Sequence, residues 1–336
     1  MSTTPAQSKT AAEIAVIVPV HNAGDYLQPC LASIAGQSLS NFACYLVDDG
    51  STDGSAAVCD AMAAQDLRFI PLHRAQCGAS AARAAGLRAA LVDGAAWISF
   101  CDADDLLHPQ FLQTLRNAAE ATQLPVACCR YDSFTDAPPK EAAPAAPRPL
   151  QSPAHLEALL HHHTVDFSLC NKLYRADALT PEMLDNGYAY NEDLLANWQI
   201  FSGVAGCAFC DFDGYHYRQH SDSASHRPLA PQSIDEQRRA ALYIREHAEP
   251  DMQQSANAFY YEKLVYLASM ILRRDDAAAY RTQLNELAVG IAAGRKDPHL
   301  GRNPRLPFSI RVAAFGTAKC PKLWCRLCRV LLKDRR

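Results

Sequence analysis

Two acidic clusters, each directly after a short apolar run, are the feature that most constrains this chain. Residues 42–47 (FACYLV) lead into residues 48–53 (DDGSTD), and residues 96–101 (AWISFC) lead into residues 102–105 (DADD). Short runs rich in aromatic and β-branched residues are typical of buried strands. Ligands of open α/β sheets bind beyond the carboxyl ends of the strands. Because carboxylates gathered there repel one another, the pattern predicts a divalent cation and an anionic ligand in one site.

The composition indicates a soluble globular protein. The 336 residues are 49% hydrophobic and 20% charged with a net charge of −4, which suits one large domain plus an appendage. No run reaches the roughly 18 apolar residues that a membrane span needs. Residues 1–12 are polar, so they predict a disordered N-terminus and no secretory signal. Thirteen cysteines, mostly in apolar segments, favour buried thiols in a reducing cytoplasm over a disulfide framework.

Strands and helices alternate through the first part of the chain. Apolar runs predict strands at 13–20, 42–47, 68–72, 96–101 and 125–134, with helical patterns between them. This alternation predicts an α/β fold with a mostly parallel, Rossmann-like sheet covered by helices on both faces. The sheet domain is expected to span residues 13–225.

The second part of the chain has a different character. Residues 136–153 contain six prolines among alanines, which predicts an extended, mobile loop within the sheet domain. Residues 226–300 show helical periodicity and predict a helical extension that packs on the sheet domain. Residues 301–336 form a basic tail.

Five short motifs occur in order along residues 13–225 and together identify a family. They are VPVHN at 18–22, DDGSTD at 48–53, Gly78 with Arg83 and Gly86, DADD at 102–105, and Glu192-Asp193. Their order and spacing resemble the family 2 inverting glycosyltransferases of GT-A fold over about two thirds of the chain. The resemblance implies transfer of a sugar from a nucleotide-diphosphate sugar, with UDP favoured, to a hydroxyl of a glycan or lipid-linked oligosaccharide. Such enzymes act in cell-surface polysaccharide biosynthesis.

The resemblance implies a metal site at Asp102 and Asp104. An Asp-x-Asp pair suits a hard cation with oxygen ligands, Mn²⁺ or Mg²⁺, which would stabilise the diphosphate leaving group. In similar enzymes the second Asp is the direct ligand and the first lies nearer the ribose, and Asp105 would assist. The alternative is that these acids cap the helix predicted after Pro109.

The first cluster and the loop after the first strand are expected to bind the nucleotide. By resemblance, the Asp49 carboxylate accepts the uracil imide N–H, and Asp48 supports it or the ribose. The alternative for this cluster is an ordinary Asx turn and helix cap. The residues expected to line the pocket mainly through their backbone are Pro19, Val20, His21 and Asn22.

Arg83 is expected to contact the pyrophosphate or the loop that carries the acids. The alternative is an exposed arginine on a solvated helix face. Similar proteins often have Asn directly after this Arg and an Asn-x-Gly before it, whereas this chain has Ala84 and Gln76 there. Contacts from those two positions are therefore not carried over.

Several basic residues further along could also reach the donor. Arg218 and Lys172 are candidate phosphate ligands, and His216 or His220 could add a metal or diphosphate contact. A structural role for a histidine on a strand is the alternative.

Glu192-Asp193 is expected to supply the catalytic base. Inversion requires an acceptor hydroxyl that attacks the anomeric carbon opposite the nucleotide, and a carboxylate there takes the proton. The resemblance assigns Asp193 as base, with Glu192 orienting the acceptor or the sugar. Burial near Trp198 would raise the pKa of Asp193. Alternatively, both are first-turn acids favoured by the helix dipole.

The C-terminal tail concentrates positive charge. From Arg305 to Arg336 there are nine Lys or Arg and one Asp, a net +8, so a total of −4 leaves −12 for the remainder. Residues 309–333 interleave these charges with aromatic and aliphatic residues, which predicts peripheral contact with the anionic inner face of the cell membrane. A helix docked on the protein or a basic arm for nucleic acid is the alternative, and no nucleic acid partner is expected.

Two other functions compete with glycosyl transfer. A nucleotidyltransferase has a similar sheet and also uses Mg²⁺, but it should carry a Gly-rich basic loop where this chain has residues 19–22 (PVHN). A catalytically silent nucleotide-sugar-binding or scaffold protein could keep the fold, although the intact Asp102, Asp104 and Asp193 argue against it.

Overall fold

The computed structural model describes residues 12–137, 143–161, 164–220 and 230–319, together with Trp324. Within them, nine strands form one sheet. In chain order they are β1 (Ile14–Val20), β2 (Phe42–Asp49), β3 (Phe69–Arg74), β4 (Trp97–Phe100), β5 (Leu106–Leu107), β6 (Val126–Phe134), β7 (Arg148–Gln151), β8 (Lys172–Arg175) and β9 (Gly206–Arg218).

The sheet is mixed and mostly parallel. Its spatial order is β3-β2-β1-β4-β8-β6-β9-β5, and β7 pairs with β9 beside this path. Strands β3, β2, β1 and β4 run parallel, and β6 pairs parallel with β9. Strand β8 is antiparallel to both β4 and β6, while β5 and β7 are antiparallel to β9. The predicted mostly parallel sheet is confirmed.

Helices cover the sheet and continue beyond it. In chain order they are α1 (Leu27–Ala35), α2 (Ser55–Gln65), α3 (Ala79–Val92), α4 (Phe111–Thr122), α5 (Ala154–Leu160), α6 (Pro181–Leu184), α7 (Glu192–Ser202), α8 (Pro231–Glu246), α9 (Gln253–Leu272), α10 (Arg281–Gly294) and α11 (Phe308–Lys319).

Helix α3 lies unusually close to the sheet because Gly86 carries no side chain. A Cβ at this position would lie 2.5 Å from Ile17 Cγ2 on β1 and 3.0 Å from Val47 Cγ2 on β2. Both strands are buried nearly throughout, as central parallel strands should be. This close packing holds α3, and with it Arg83, against β1 and β2.

The Pro-rich segment differs from its prediction. Residues 136–153 were expected to be loop, but β7 lies within them and pairs with β9. Pro149 is compatible with this because β7 is an edge strand, where a missing N–H costs no ladder bond. Residues 138–142 of this segment lie outside the described residues, as do residues 1–11 of the predicted disordered N-terminus.

The C-terminal helices are confirmed, and they do more than add to the sheet domain. Ile244 of α8 and Phe259 of α9 belong to the same apolar core as the sheet. A second apolar cluster joins α9, α10 and α11 through residues such as Leu264, Ile291 and Ala314. The domain boundaries at residues 225 and 300 stay predictions. Within the described chain, none of the helices combines the length and hydropathy that crossing a bilayer requires.

Candidate active site

The predicted acidic clusters lie at one edge of the sheet. Strands β2 and β4 flank β1 on its two sides, so their carboxyl ends are two strand spacings, or about 10 Å, apart. Asp48 and Asp49 end β2, and residues 102–105 form the turn between β4 and β5. The second cluster therefore does not begin a helix, and the alternative that it caps the helix after Pro109 is wrong.

Hydrogen bonds join the loop after β1 to the loop after β2. Asn22 Oδ1 accepts the backbone N–H of Thr52 at 2.8 Å, and the Gly24 N–H donates to Asp53 Oδ2 at 2.9 Å. His21 Nδ1 lies 2.9 Å from the Asp49 carbonyl oxygen, so this nitrogen carries the proton and donates. Pro19 and Val20 end β1 beneath this junction. The expected nucleotide-lining residues form one continuous wall.

Asp48 and Asp49 are both buried and both already hold backbone. Asp49 accepts the N–H groups of Cys77 and Gly78 at 3.0 and 2.7 Å, and Arg74 Nε lies 3.3 Å from it. Asp48 accepts the Ser51 N–H at 3.0 Å, the Asx-turn contact that was the alternative for this cluster. The expected bond from Asp49 to a uracil imide stays a prediction.

Arg83 joins the second acidic cluster to the expected base. Its Nη2 lies 2.7 Å from Asp102 Oδ1, and its Nη1 lies 3.5 Å from Asp193 Oδ1. The Arg83 side chain is only 7% exposed, so the alternative of an exposed arginine is wrong. Residues from α3, the β4–β5 turn and α7 thus converge on one buried guanidinium.

Asp104 is paired with His220. Its Oδ2 lies 2.9 Å from His220 Nε2, and its side chain is 31% exposed. Burial, and then the charge of Asp102, raise the pKa of Asp104. A cation between these two carboxylates would remove that repulsion.

Asp105 is a structural residue rather than an open ligand. It is buried and accepts the Tyr215 hydroxyl and the Arg218 backbone N–H, the latter at 2.7 Å. Burial, followed by the charges of Asp102 and Asp104, raises its pKa. Asp105 therefore connects the end of β9 to the turn formed by residues 102–105, called the acidic turn. The sequence pattern did not predict this role of Tyr215.

Arg218 contacts the acidic turn without pairing with its carboxylates. Its Nε donates to the Asp104 carbonyl oxygen at 2.8 Å, and its guanidinium lies over the rings of Tyr26 and Phe134. The Tyr26 ring also lies against the His220 ring, with centroids 4.5 Å apart and the ring planes tilted by 31°. Neither Tyr26 nor Phe134 was singled out in the sequence, because aromatic residues at such positions are ordinary core residues.

The structure bears on two of the weaker expectations, those for Lys172 and for His216 or His220. Lys172 is buried, and its ammonium donates to the carbonyl oxygens of Asp166 and Ser168 and to the Asn171 side chain. Its charge therefore serves the protein interior rather than a phosphate. His216 is also buried and pairs with Asp132 at 2.7 Å, so of the two histidines only His220 meets the acidic turn.

Glu192 and Asp193 occupy the first turn of α7. The carboxylate of Asp193 accepts the Leu169 backbone N–H, and burial raises its pKa while Arg83 opposes the rise. Burial, and then the charge of Asp193, raise the pKa of Glu192 to about 7. Glu192 is therefore poised to hold or release a proton near neutral pH, and Asp193 binds a proton more readily than an ordinary Asp.

The loop before α7 is held by the C-terminal helices. Glu236 of α8 is buried, and its Oε2 accepts the N–H groups of Ala189 and Tyr190 at 2.9 and 3.0 Å. Asn191 then adopts a left-handed conformation with φ of 62° directly before Glu192, which asparagine tolerates better than most residues. Helix α8 thus fixes the backbone directly before Glu192 and Asp193. This is a long-range contact that no sequence pattern indicated.

The raised pKa of Glu192 predicts a pH effect on stability. Between the ordinary Glu pKa and about 7 the folded state binds more protons than the unfolded state, so the free energy of unfolding falls as pH rises through this window. Glu192→Gln removes this cost and should be more stable than the parent at pH 8 by about 3 kcal/mol. Urea unfolding at pH 5 and pH 8 measures it. An equal difference at both pH values would show that Glu192 titrates normally.

Comparison with known sequences identifies relatives for most of the sheet domain. The family model Glycosyl transferase family 2 matches residues 15–180. The uncharacterized glycosyltransferase EpsJ of Bacillus subtilis is 30% identical over 232 residues, which cover 66% of this chain and 65% of EpsJ. The putative glycosyltransferase EpsH of the same organism is 28% identical over 222 residues, covering 64% of this chain and 63% of EpsH. The matched region thus spans slightly less than two thirds of either relative.

Comparison with solved structures agrees on the fold. The structure of S. aureus TarS 1-349 in complex with UDP-GlcNAc superposes with a TM-score of 0.65, covering 96% of this chain and 92% of that one. Sequence identity in this superposition is 17%, so the likeness concerns the fold, which is GT-A. Residues 15–180, just under half of this chain, match glycosyl transferase family 2.

Proposed function

We propose that this chain is an inverting glycosyltransferase that uses a nucleotide-diphosphate sugar, with UDP as its nucleotide. The observation that carries the proposal is the position of Arg83 between Asp102 and Asp193. By the resemblance, Asp102 belongs to the donor-binding site and Asp193 is the catalytic base. One guanidinium in contact with both acids supports the proposal that the expected donor site and the expected base share a single cleft.

The residues of the acidic turn fit a divalent cation. Asp102 and Asp104 are about a third exposed, and His220 adds a nitrogen donor beside Asp104. Among the described residues, no three or more His, Cys, Asp or Glu side chains are arranged so that they could hold a metal ion by themselves. That is compatible with Mg²⁺ or Mn²⁺, which take only a few protein ligands and complete their shell with phosphate oxygens and water. When bound, the cation would supply Lewis-acid stabilisation of the leaving diphosphate.

The chain's own residues account for the remaining chemistry. The wall formed by residues 19–22 and 48–49 holds the nucleotide, and Arg83 and Arg218 add positive charge near the diphosphate. The acceptor hydroxyl attacks the anomeric carbon as the bond from that carbon to the diphosphate oxygen breaks. Asp193 takes the hydroxyl proton, and Glu192 orients the acceptor or the sugar.

The acceptor class follows from the resemblance and the basic C-terminal region. We propose a hydroxyl of a glycan or lipid-linked oligosaccharide in cell-surface polysaccharide biosynthesis, presented at the cytoplasmic face of the cell membrane. A peripheral membrane position would bring the enzyme to such an acceptor without a spanning segment.

Ligand-dependent thermal stability tests the donor and cation assignments. UDP with Mn²⁺ should raise the melting temperature of the full chain, since ligand at 100 times its Kd adds about 2.7 kcal/mol of stability. UDP without Mn²⁺, and GDP or dTDP with it, should give clearly smaller shifts.

Variants make this experiment specific. Asp104→Asn should lose the Mn²⁺-dependent part of the shift, whereas Asp177→Asn, an exposed acid paired with Arg175, should retain it. An unchanged shift in Asp104→Asn would contradict the cation site. Binding of UDP-sugars without any hydrolysis or transfer across a panel of glycan acceptors would favour the silent binding protein instead.

A further inference from the structure

Helix α11 exposes a row of large apolar side chains. Phe308, Val312 and Phe315 are 81%, 41% and 51% exposed. Their spacing of four and three residues places them on one face of the helix. Three exposed apolar residues in a row along one helix face differ from the singly scattered apolar residues of an ordinary protein surface.

The inward face of α11 explains why this row points outward. Ala314 and Thr317 are buried against the second apolar cluster. Gly316 is also buried, and a Cβ there would lie 2.4 Å from the Trp324 ring. Helix α11 is therefore anchored through Ile310 and small residues such as Ala314, and both of its phenylalanines are left on the outside.

Positive charge surrounds the exposed row. Between residues 295 and 319 the sequence has six Lys or Arg and one Asp, a net +5. Arg302, Arg311 and Lys319 are exposed, and the Arg295 guanidinium lies 5.7 Å from the Phe315 ring centre. The occupant of this surface must be apolar and anionic at once.

We propose that the face of α11 formed by Phe308, Val312 and Phe315 inserts into the headgroup layer of an anionic lipid membrane, with the surrounding basic residues at the lipid phosphates. Aromatic and aliphatic residues beside Lys and Arg are typical of helices that lie in this layer. The 12 described residues of α11 are fewer than the roughly 20 that a bilayer-spanning helix needs. A second copy of the chain would bring the same positive charge against itself, and a nucleic acid would leave the apolar row in water.

This inference deepens the proposed function, since it names the surface that would bring the site to a lipid-linked acceptor. The sequence pattern predicted membrane contact for residues 309–333 as a whole, of which residues 320–323 and 325–333 lie outside the described residues, whereas this inference rests on α11. Vesicle binding needs neither donor nor catalysis, so the membrane surface and the glycosyltransferase activity can fail separately.

Co-sedimentation of the full chain with vesicles tests the inference. We expect strong binding to vesicles of phosphatidylglycerol and phosphatidylcholine, and at least about tenfold weaker binding to phosphatidylcholine alone or in high salt. The triple change Phe308→Ser, Val312→Ser and Phe315→Ser should weaken binding to the anionic vesicles at least about tenfold. Arg311→Glu with Lys319→Glu should do the same through charge.

The matched control removes apolar surface elsewhere. Leu67 and Val92 are 86% and 87% exposed on the sheet domain, and Leu67→Ser with Val92→Ser should leave binding unchanged. Circular dichroism and melting temperature confirm that each variant is folded. The inference is overturned if the wild type ignores anionic vesicles or if the triple variant binds them equally. It is also overturned if light scattering shows a dimer that the triple variant dissolves.

Discussion

Asp193→Asn is expected to lower the rate of sugar transfer by about 10²–10⁴-fold, the usual contribution of a general base. Asparagine keeps the shape of the side chain but cannot accept the hydroxyl proton. The residues expected to bind UDP and Mn²⁺ lie on other elements than α7, which carries Asp193. The affinity for UDP with Mn²⁺ should therefore change little. Transfer kinetics with a saturating donor and calorimetric titration of UDP measure the two effects.

The pH profile separates this role from a purely structural one. The raised pKa of Asp193 means that the base is protonated at a higher pH than an ordinary Asp, so the rate should fall as pH is lowered towards that pKa. The variant should lose this acid limb. Asp185→Asn, an exposed acid in the loop before the same helix, is the matched control and should keep both rate and profile. Equal rates for Asp193→Asn and the parent would remove Asp193 from the mechanism.

Arg83→Met is expected to cause the largest loss of stability, about 3–5 kcal/mol, because it leaves two carboxylates without their buried cation. Asp102 and Asp193 would then face each other across an apolar side chain, and the pKa of Asp193 should rise further because Arg83 no longer lowers it. Protonation relieves the repulsion, so the loss should be smaller at pH 5 than at pH 8. Urea unfolding at the two pH values measures it.

A double-mutant cycle shows whether the loss comes from these contacts. Arg83→Met combined with Asp193→Asn should be less destabilised than the sum of the two single changes, since one repelling charge is gone. Arg83→Lys keeps the charge but not the fork that reaches two acids, so it should fall between the parent and Arg83→Met. Strict additivity would show that Arg83 and Asp193 do not interact, which would also weaken the proposed single cleft.

Much of the fold followed from local sequence patterns. Apolar periodicity gave β1, β2 and β4 and the acidic residues at their ends, because burial of a strand on both faces demands a continuous apolar run. The same reasoning failed at β7, where prolines suggested loop. The sheet edge tolerates proline, and only pairing with β9 reveals that an edge exists there.

The roles of single charged residues were harder to predict. The sequence does not distinguish the three basic residues. Arg83 contacts two carboxylates, the Lys172 ammonium donates to backbone carbonyl oxygens, and the Arg218 guanidinium packs over aromatic rings. Which environment a charge finds depends on elements that fold against it from elsewhere in the chain.

The sequence by itself determined the alternating elements, the acidic motifs and their place at the carboxyl ends of β2 and β4. These are properties of short segments, since helix and strand periods set which residues can be buried. Only the tertiary structure decided that Arg83 would join Asp102 to Asp193, that His220 would meet Asp104 116 positions earlier, and that α8 would hold the loop before α7. Such pairings depend on how packed elements meet in space, and no local pattern encodes that distance.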